Sequence, residues 1–94
     1  MSNRAAFYFA NLGADVMRCA LAAQSKNDKE YLASLDRAFR TLHLLAKEQR
    51  PEALEEGLLL LRALEHARTM GTLRTFIDQV NLVIEPFSAR LAPS

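Results

Sequence analysis

The sequence predicts an all-α protein: an antiparallel up-down four-helix bundle that forms a single helical-bundle domain over residues 1–94. Apolar residues recur at i, i+3, i+4 and i+7 in four stretches, and no stretch shows the alternation of a half-buried strand. Only three short breaks separate the stretches, as an antiparallel bundle requires. The chain has 94 residues, half of them hydrophobic, with three Gly and three Pro, so it can build one core but not two and is not a disordered chain.

The first helix is expected over residues 3–24. At about 100° per residue, Arg4, Asn11, Asp15 and Arg18 fall within one arc of about 60°. Phe7, Phe9, Leu12, Val16, Met17, Cys19 and Leu21 cover the rest. A helix apolar on so many sides needs partners on more than one of them, which points to an oligomer.

The second helix starts at Asp28. Asn27 is placed to cap it, and Glu30 three residues on completes a capping-box pattern. Its expected core stripe is Tyr31, Leu32, Leu35, Ala38, Phe39, Leu42, Leu45 and Ala46, with Lys29, Asp36, Arg37, Arg40, Lys47 and Glu48 opposite.

Pro51 suits the first turn of the third helix, and Glu52, Glu55 and Glu56 favour the positive end of its dipole. That helix is expected to bury Leu54, Leu58, Leu61, Leu64 and Ala67 and to end at Met70, with Gly71 taking the left-handed conformation. Thr72 is placed to cap the fourth helix, whose stripe is Leu73, Phe76, Ile77, Val80, Val83, Ile84, Phe87 and Leu91. Pro86 removes one amide donor and crowds the carbonyl of Leu82, so a kink or break is expected near Glu85.

No apolar run approaches the roughly 18–20 residues of a membrane span, and no signal peptide is read. The lone Cys19 can form no intramolecular disulfide, which fits a reducing cytoplasm. His43 and His66 stand at no metal-ligand spacing, and no Gly-rich phosphate loop, GxSxG or HExxH pattern occurs. The sequence therefore predicts no catalytic, cofactor-binding or metal-binding residue, no cofactor, no small-molecule substrate and no enzyme activity. Glu65 falls among the residues of the expected buried stripe, where an ionised carboxylate needs a partner; Arg62 and Arg68 are near candidates, and Glu65 is read as a stripe-edge or subunit-interface residue.

Two surfaces remain. Leu44, Leu59, Ala63, Met70 and Leu82 point away from the core stripes. With the apolar first helix they imply more apolar surface than a monomer covers, and Phe7, Met17, Leu21 and Leu59 are the expected oligomer interface. The second surface is basic. Residues 1–50 carry eight basic and five acidic side chains, against four and six in residues 51–94. Lys29, Arg37, Arg40 and Lys47 on the second helix are the candidate nucleic-acid contacts. Acidic neighbours such as Asp36, four residues before Arg40, temper that face and leave nucleic-acid binding second to self-association.

Residues 7–18 (FYFANLGADVMR) and 27–42 (NDKEYLASLDRAFRTL) resemble small bacterial four-helix-bundle proteins of the ribosomal intervening-sequence and retroelement-accessory type. The resemblance covers about the first half of the chain. It implies a ring-like homo-oligomer whose basic surface engages nucleic acid or a nucleoprotein partner. The near-neutral charge departs from that pattern, and no motif carries a functional residue across. The expected function is accordingly a non-enzymatic, self-associating interaction or scaffold subunit. The alternative is a nucleic-acid-associated accessory protein.

Overall fold

The computed structural model describes residues 4–91, so the expectation for Asn3 lies outside the described residues. Four helices follow one another: α1 (Ala5–Gln24), α2 (Asp28–Ala46), α3 (Pro51–Met70) and α4 (Leu73–Leu91). Their ends are set by local chemistry. The Asn27 side chain accepts the Glu30 amide at 3.2 Å, which starts α2. The Glu30 carboxylate does not close the box and accepts from Ser34 instead. α1 ends where Lys26 turns left-handed (φ 60°), its amide and that of Asn27 donating back to the carbonyls of Ala23 and Ala22. Gly71 ends α3 with φ 72°, and α4 begins directly after Thr72.

α1 packs against all three other helices, whereas α2 and α4 do not meet among the described residues. The cross-section is therefore a flattened diamond, with α1 and α3 on its short diagonal and overall extents of 42 × 23 × 15 Å. Phe9 meets Phe87 with ring centroids 4.8 Å apart, and Cys19 reaches Tyr31, so α1 runs antiparallel to both flanking helices. Phe9, Leu12, Val16 and Cys19 are fully buried. The nearly all-round apolar character of α1 is thus largely satisfied within one chain, and a second chain is not needed to explain it.

Two glycines set how closely the helices approach. A Cβ on Gly13 would stand 2.7 Å from Ile84 of α4, and one on Gly57 would stand 2.7 Å from Leu12 of α1. Small residues on α3 let it settle onto α1, and this turns α3 by about one residue from the expected stripe. The buried positions are Ala53, Gly57, Leu60, Leu64 and Ala67; Leu58, expected inside, is exposed. Glu65 faces outward with it, is exposed and pairs with Arg68 at 2.9 Å, so its carboxylate is solvated rather than enclosed in the core. α2 behaves alike: Tyr31, Ser34, Ala38 and Leu45 face inward, while Leu32, Phe39 and Ala46 do not.

α4 continues through Pro86 as one helix, so of the kink or break expected near Glu85 the break does not occur. Pro86 and Leu82, whose carbonyl loses its amide donor, are both exposed, Leu82 by 74 %. Water can hydrate that carbonyl, so the helix tolerates the proline. Val80, Ile84 and Leu91 are buried, Phe87 lies against Phe9, and Val83 is exposed.

Candidate functional site

The turn of α3 toward α1 leaves a groove along the α2–α3 seam. Its larger part is a cavity of about 450 Å³ lined by Phe39, Leu58, Leu59 and Leu61, with Glu55, Arg62 and Glu65 alongside. A second hollow of about 400 Å³ shares Glu65 and runs along Leu32 and Leu35 to Tyr31, Asp28 and Arg68. Leu32 is 62 % exposed, Phe39 47 %, Leu58 46 % and Leu59 47 %, so four large apolar side chains of one seam meet solvent. At one end the Arg68 guanidinium lies 4.3 Å from the Tyr31 ring centroid while also bonding Glu65. Burial pushes the Tyr31 phenol above its ordinary value, and the nearby Arg68 cation partly offsets this.

A polar cleft of about 330 Å³ opens between α1 and α2, lined by Asn11, Arg18, Arg37, Arg40 and Thr41 around Asp15. Asp15, on the polar arc of α1, is buried. Its carboxylate accepts from Arg18 at 2.9 Å and from Thr41 at 3.4 Å, and Arg37 Nε approaches to 3.8 Å. Arg37 also donates to Ser34 at 3.1 Å and pairs with Glu30, and Arg40 pairs with Asp36. Asp15 is the one carboxylate that lines the cleft, and Glu30 and Asp36 pair with Arg37 and Arg40 beside it, so each of the three guanidinium groups has a carboxylate partner.

The structure brings Arg37 and Arg40 together with Arg18. Lys29 and Lys47 are exposed near opposite ends of α2, about 27 Å apart at 1.5 Å per residue, and line no part of the cleft. Of the expected interface residues, Phe7 and Leu21 are exposed on α1 and Met17 is partly buried against the core. Leu59 lines the α2–α3 groove, which none of those three α1 residues lines. Phe39, Leu58 and Leu32 belong to the expected core stripes. One signal could have placed Leu58 differently: Leu58 to Leu61 are four consecutive leucines, which cannot all face one side of a helix, and Ala53 and Gly57 mark the side that comes closest to a neighbour.

His43 is exposed, and His66 lies exposed beside a shallow depression between α3 and α4. Among the described residues no three His, Cys, Asp or Glu side chains gather as metal ligands, and no helix is long and apolar enough to cross a membrane. Cys19 Sγ lies 4.0 Å from the Tyr31 carbonyl oxygen. Burial, helped by the Asp15 charge, pushes its thiol from 9.0 up to about 11. At pH 8 a shift of two units leaves a thiolate fraction about a hundredfold below that of an ordinary cysteine. Native Cys19 should therefore react with a disulfide reagent at least about a hundredfold more slowly than the urea-unfolded chain. Because the folded value is the higher one, the stabilisation from this site is complete below pH 9 and declines as pH rises toward 11. Urea unfolding of the protein and its Cys19→Ala variant across that range would test the trend; equal pH slopes would refute it.

The fold and its surface define a small four-helix bundle with an uncovered apolar groove and a polar cleft whose arginines are each paired with a carboxylate. Comparison with protein-family models, with curated proteins and with solved structures found no match to this chain.

Proposed function

We propose that the protein is a non-enzymatic interaction or scaffold subunit that self-associates through the α2–α3 groove, in a reducing cytoplasm where Cys19 stays a thiol. The observation that carries this reading is the seam formed by Leu32, Phe39, Leu58 and Leu59, four exposed apolar side chains in one contiguous groove. Single exposed leucines are ordinary, but a continuous apolar groove rimmed by charges marks a site of contact with another macromolecule. Phe7 and Leu21 on α1 supply a second, smaller apolar area for a larger assembly.

The alternative, a nucleic-acid accessory role, draws on the convergence of Arg18, Arg37 and Arg40 in one cleft. Their carboxylate partners reduce the field that a phosphate backbone would meet, which makes it the weaker reading. One experiment addresses both: the mass in solution by light scattering at micromolar concentration, across a salt series, with and without a short RNA. A defined oligomer indifferent to RNA is the expected result. A strict monomer would refute self-association, and an RNA-dependent mass increase that salt abolishes would transfer the function to the α1–α2 cleft.

A further inference from the structure

The exposed crest of α3 carries Glu55, Leu58, Leu59 and Arg62 at i, i+3, i+4 and i+7, which places them on one helix face. This order is symmetric about the midpoint between Leu58 and Leu59, with the two charges opposite in sign. From this we infer that the groove is occupied by a second copy of the chain, α3 lying antiparallel on α3 about a two-fold axis between Leu58 and Leu59. The inference rests on the self-association reading above and names its partner and geometry.

A two-fold axis there sets Leu58 against Leu59 of the partner subunit and Glu55 against Arg62 of the partner subunit, and repeats both contacts by symmetry. Each charge lies about 5 Å along the helix from the axis, within the first turn on either side. Glu65, the third charge of this cavity, is already held by Arg68, whereas Glu55 and Arg62 form no ion pair among the described residues. A foreign partner would be matched equally well by a rim of one sign. One acid and one base at symmetry-related positions match the chain itself. The antiparallel arrangement also opposes the two helix dipoles. The same axis relates Glu52 to Glu65, a like-charged pair. Those residues lie about 10 Å from the axis, where helices crossing at about 50° have diverged, and each has its own arginine, Arg50 or Arg68.

The test is a charge exchange read by sedimentation equilibrium. Glu55→Arg or Arg62→Glu alone puts like charges at both symmetry-related contacts and should raise the dimer dissociation constant about tenfold or more. The Glu55→Arg/Arg62→Glu double variant restores opposite charges at both contacts and should return to within about threefold of the parent. Both residues are surface positions, so circular dichroism should show unchanged helix content. If the parent protein is monomeric throughout, both the inference and the self-association reading fall. If it is oligomeric but the single variants leave its mass unchanged, or the double variant does not recover, self-association stands and the α3 two-fold is overturned.

Discussion

Gly57→Leu should cost this protein most of its stability, about 3 kcal/mol or more, and should show as a large fall in Tm. Leucine is a better helix former than glycine by roughly 0.8 kcal/mol, so propensity alone predicts the opposite sign. The loss comes from space. The first carbon of any side chain at this position stands 2.7 Å from Leu12 Cδ2 and 3.1 Å from Leu42 Cδ1, and Leu12 is fully buried with nowhere to retreat. Overpacking by one or two carbons typically costs about 1–3 kcal/mol, and a whole isobutyl group exceeds that because α3 must lift off α1. Gly57→Ala isolates the contact. Alone it should destabilise modestly, the clash partly offset by propensity; in a Leu12→Ala background the clash has no partner and the same substitution should become neutral or stabilising. Chemical denaturation of the four variants gives the coupling directly. Additivity within about 0.5 kcal/mol would show that Gly57 does not set the α1–α3 distance.

That same contact explains which parts of the structure were legible in the sequence. Helix number and most helix ends were readable because they depend on residues within a few positions of one another: Asn27 with the Glu30 amide, Pro51 in a first turn, Gly71 in the left-handed region. The rotation of each helix was not. A helical wheel favours the face with the most apolar volume, which on α3 is the Leu54–Leu58–Leu61 face, but the tightest packing is made by the smallest residues. Ala53 and Gly57 on α3, like Ser34 and Ala38 on α2, decide the orientation by how near a neighbour can come. Once α3 turns, Glu65 settles in a surface pair with Arg68, and Leu58 moves into the groove.

The burial of Asp15 was not legible either. The wheel shows it beside Arg18 and Asn11 on one polar arc, but its second cation, Arg37, and its hydroxyl donor, Thr41, come from α2. A buried carboxylate is tolerated only where such partners converge, and a wheel drawn for one helix cannot show them. The apolar circumference of α1 was a sound sign that the helix needs several neighbours. What it could not reveal was that three of them come from the same chain.

Leu58→Glu and Phe39→Glu should each abolish self-association while leaving the monomer folded. Both side chains are about half exposed, so a glutamate in either place can direct its carboxylate to water, and the folding cost should stay near or below about 1 kcal/mol, as for other surface substitutions. In the associated state the same carboxylate is enclosed against leucine. Burying one leucine is worth about 1.5–3 kcal/mol, and a two-fold interface counts each residue twice, so the dissociation constant should rise at least a hundredfold before the cost of the enclosed charge is added. Leu44→Glu provides the control. Leu44 is exposed to a similar degree on α2 but lines neither hollow of the groove, so its replacement should leave the mass unchanged. Hydrophobicity in general would make the three variants equivalent; a groove with one occupant separates Leu58 and Phe39 from Leu44. If Leu58→Glu and Phe39→Glu keep the parent mass while Phe7→Glu lowers it, the contact surface belongs to α1 and the α2–α3 seam is open in the assembly as it is in the single chain.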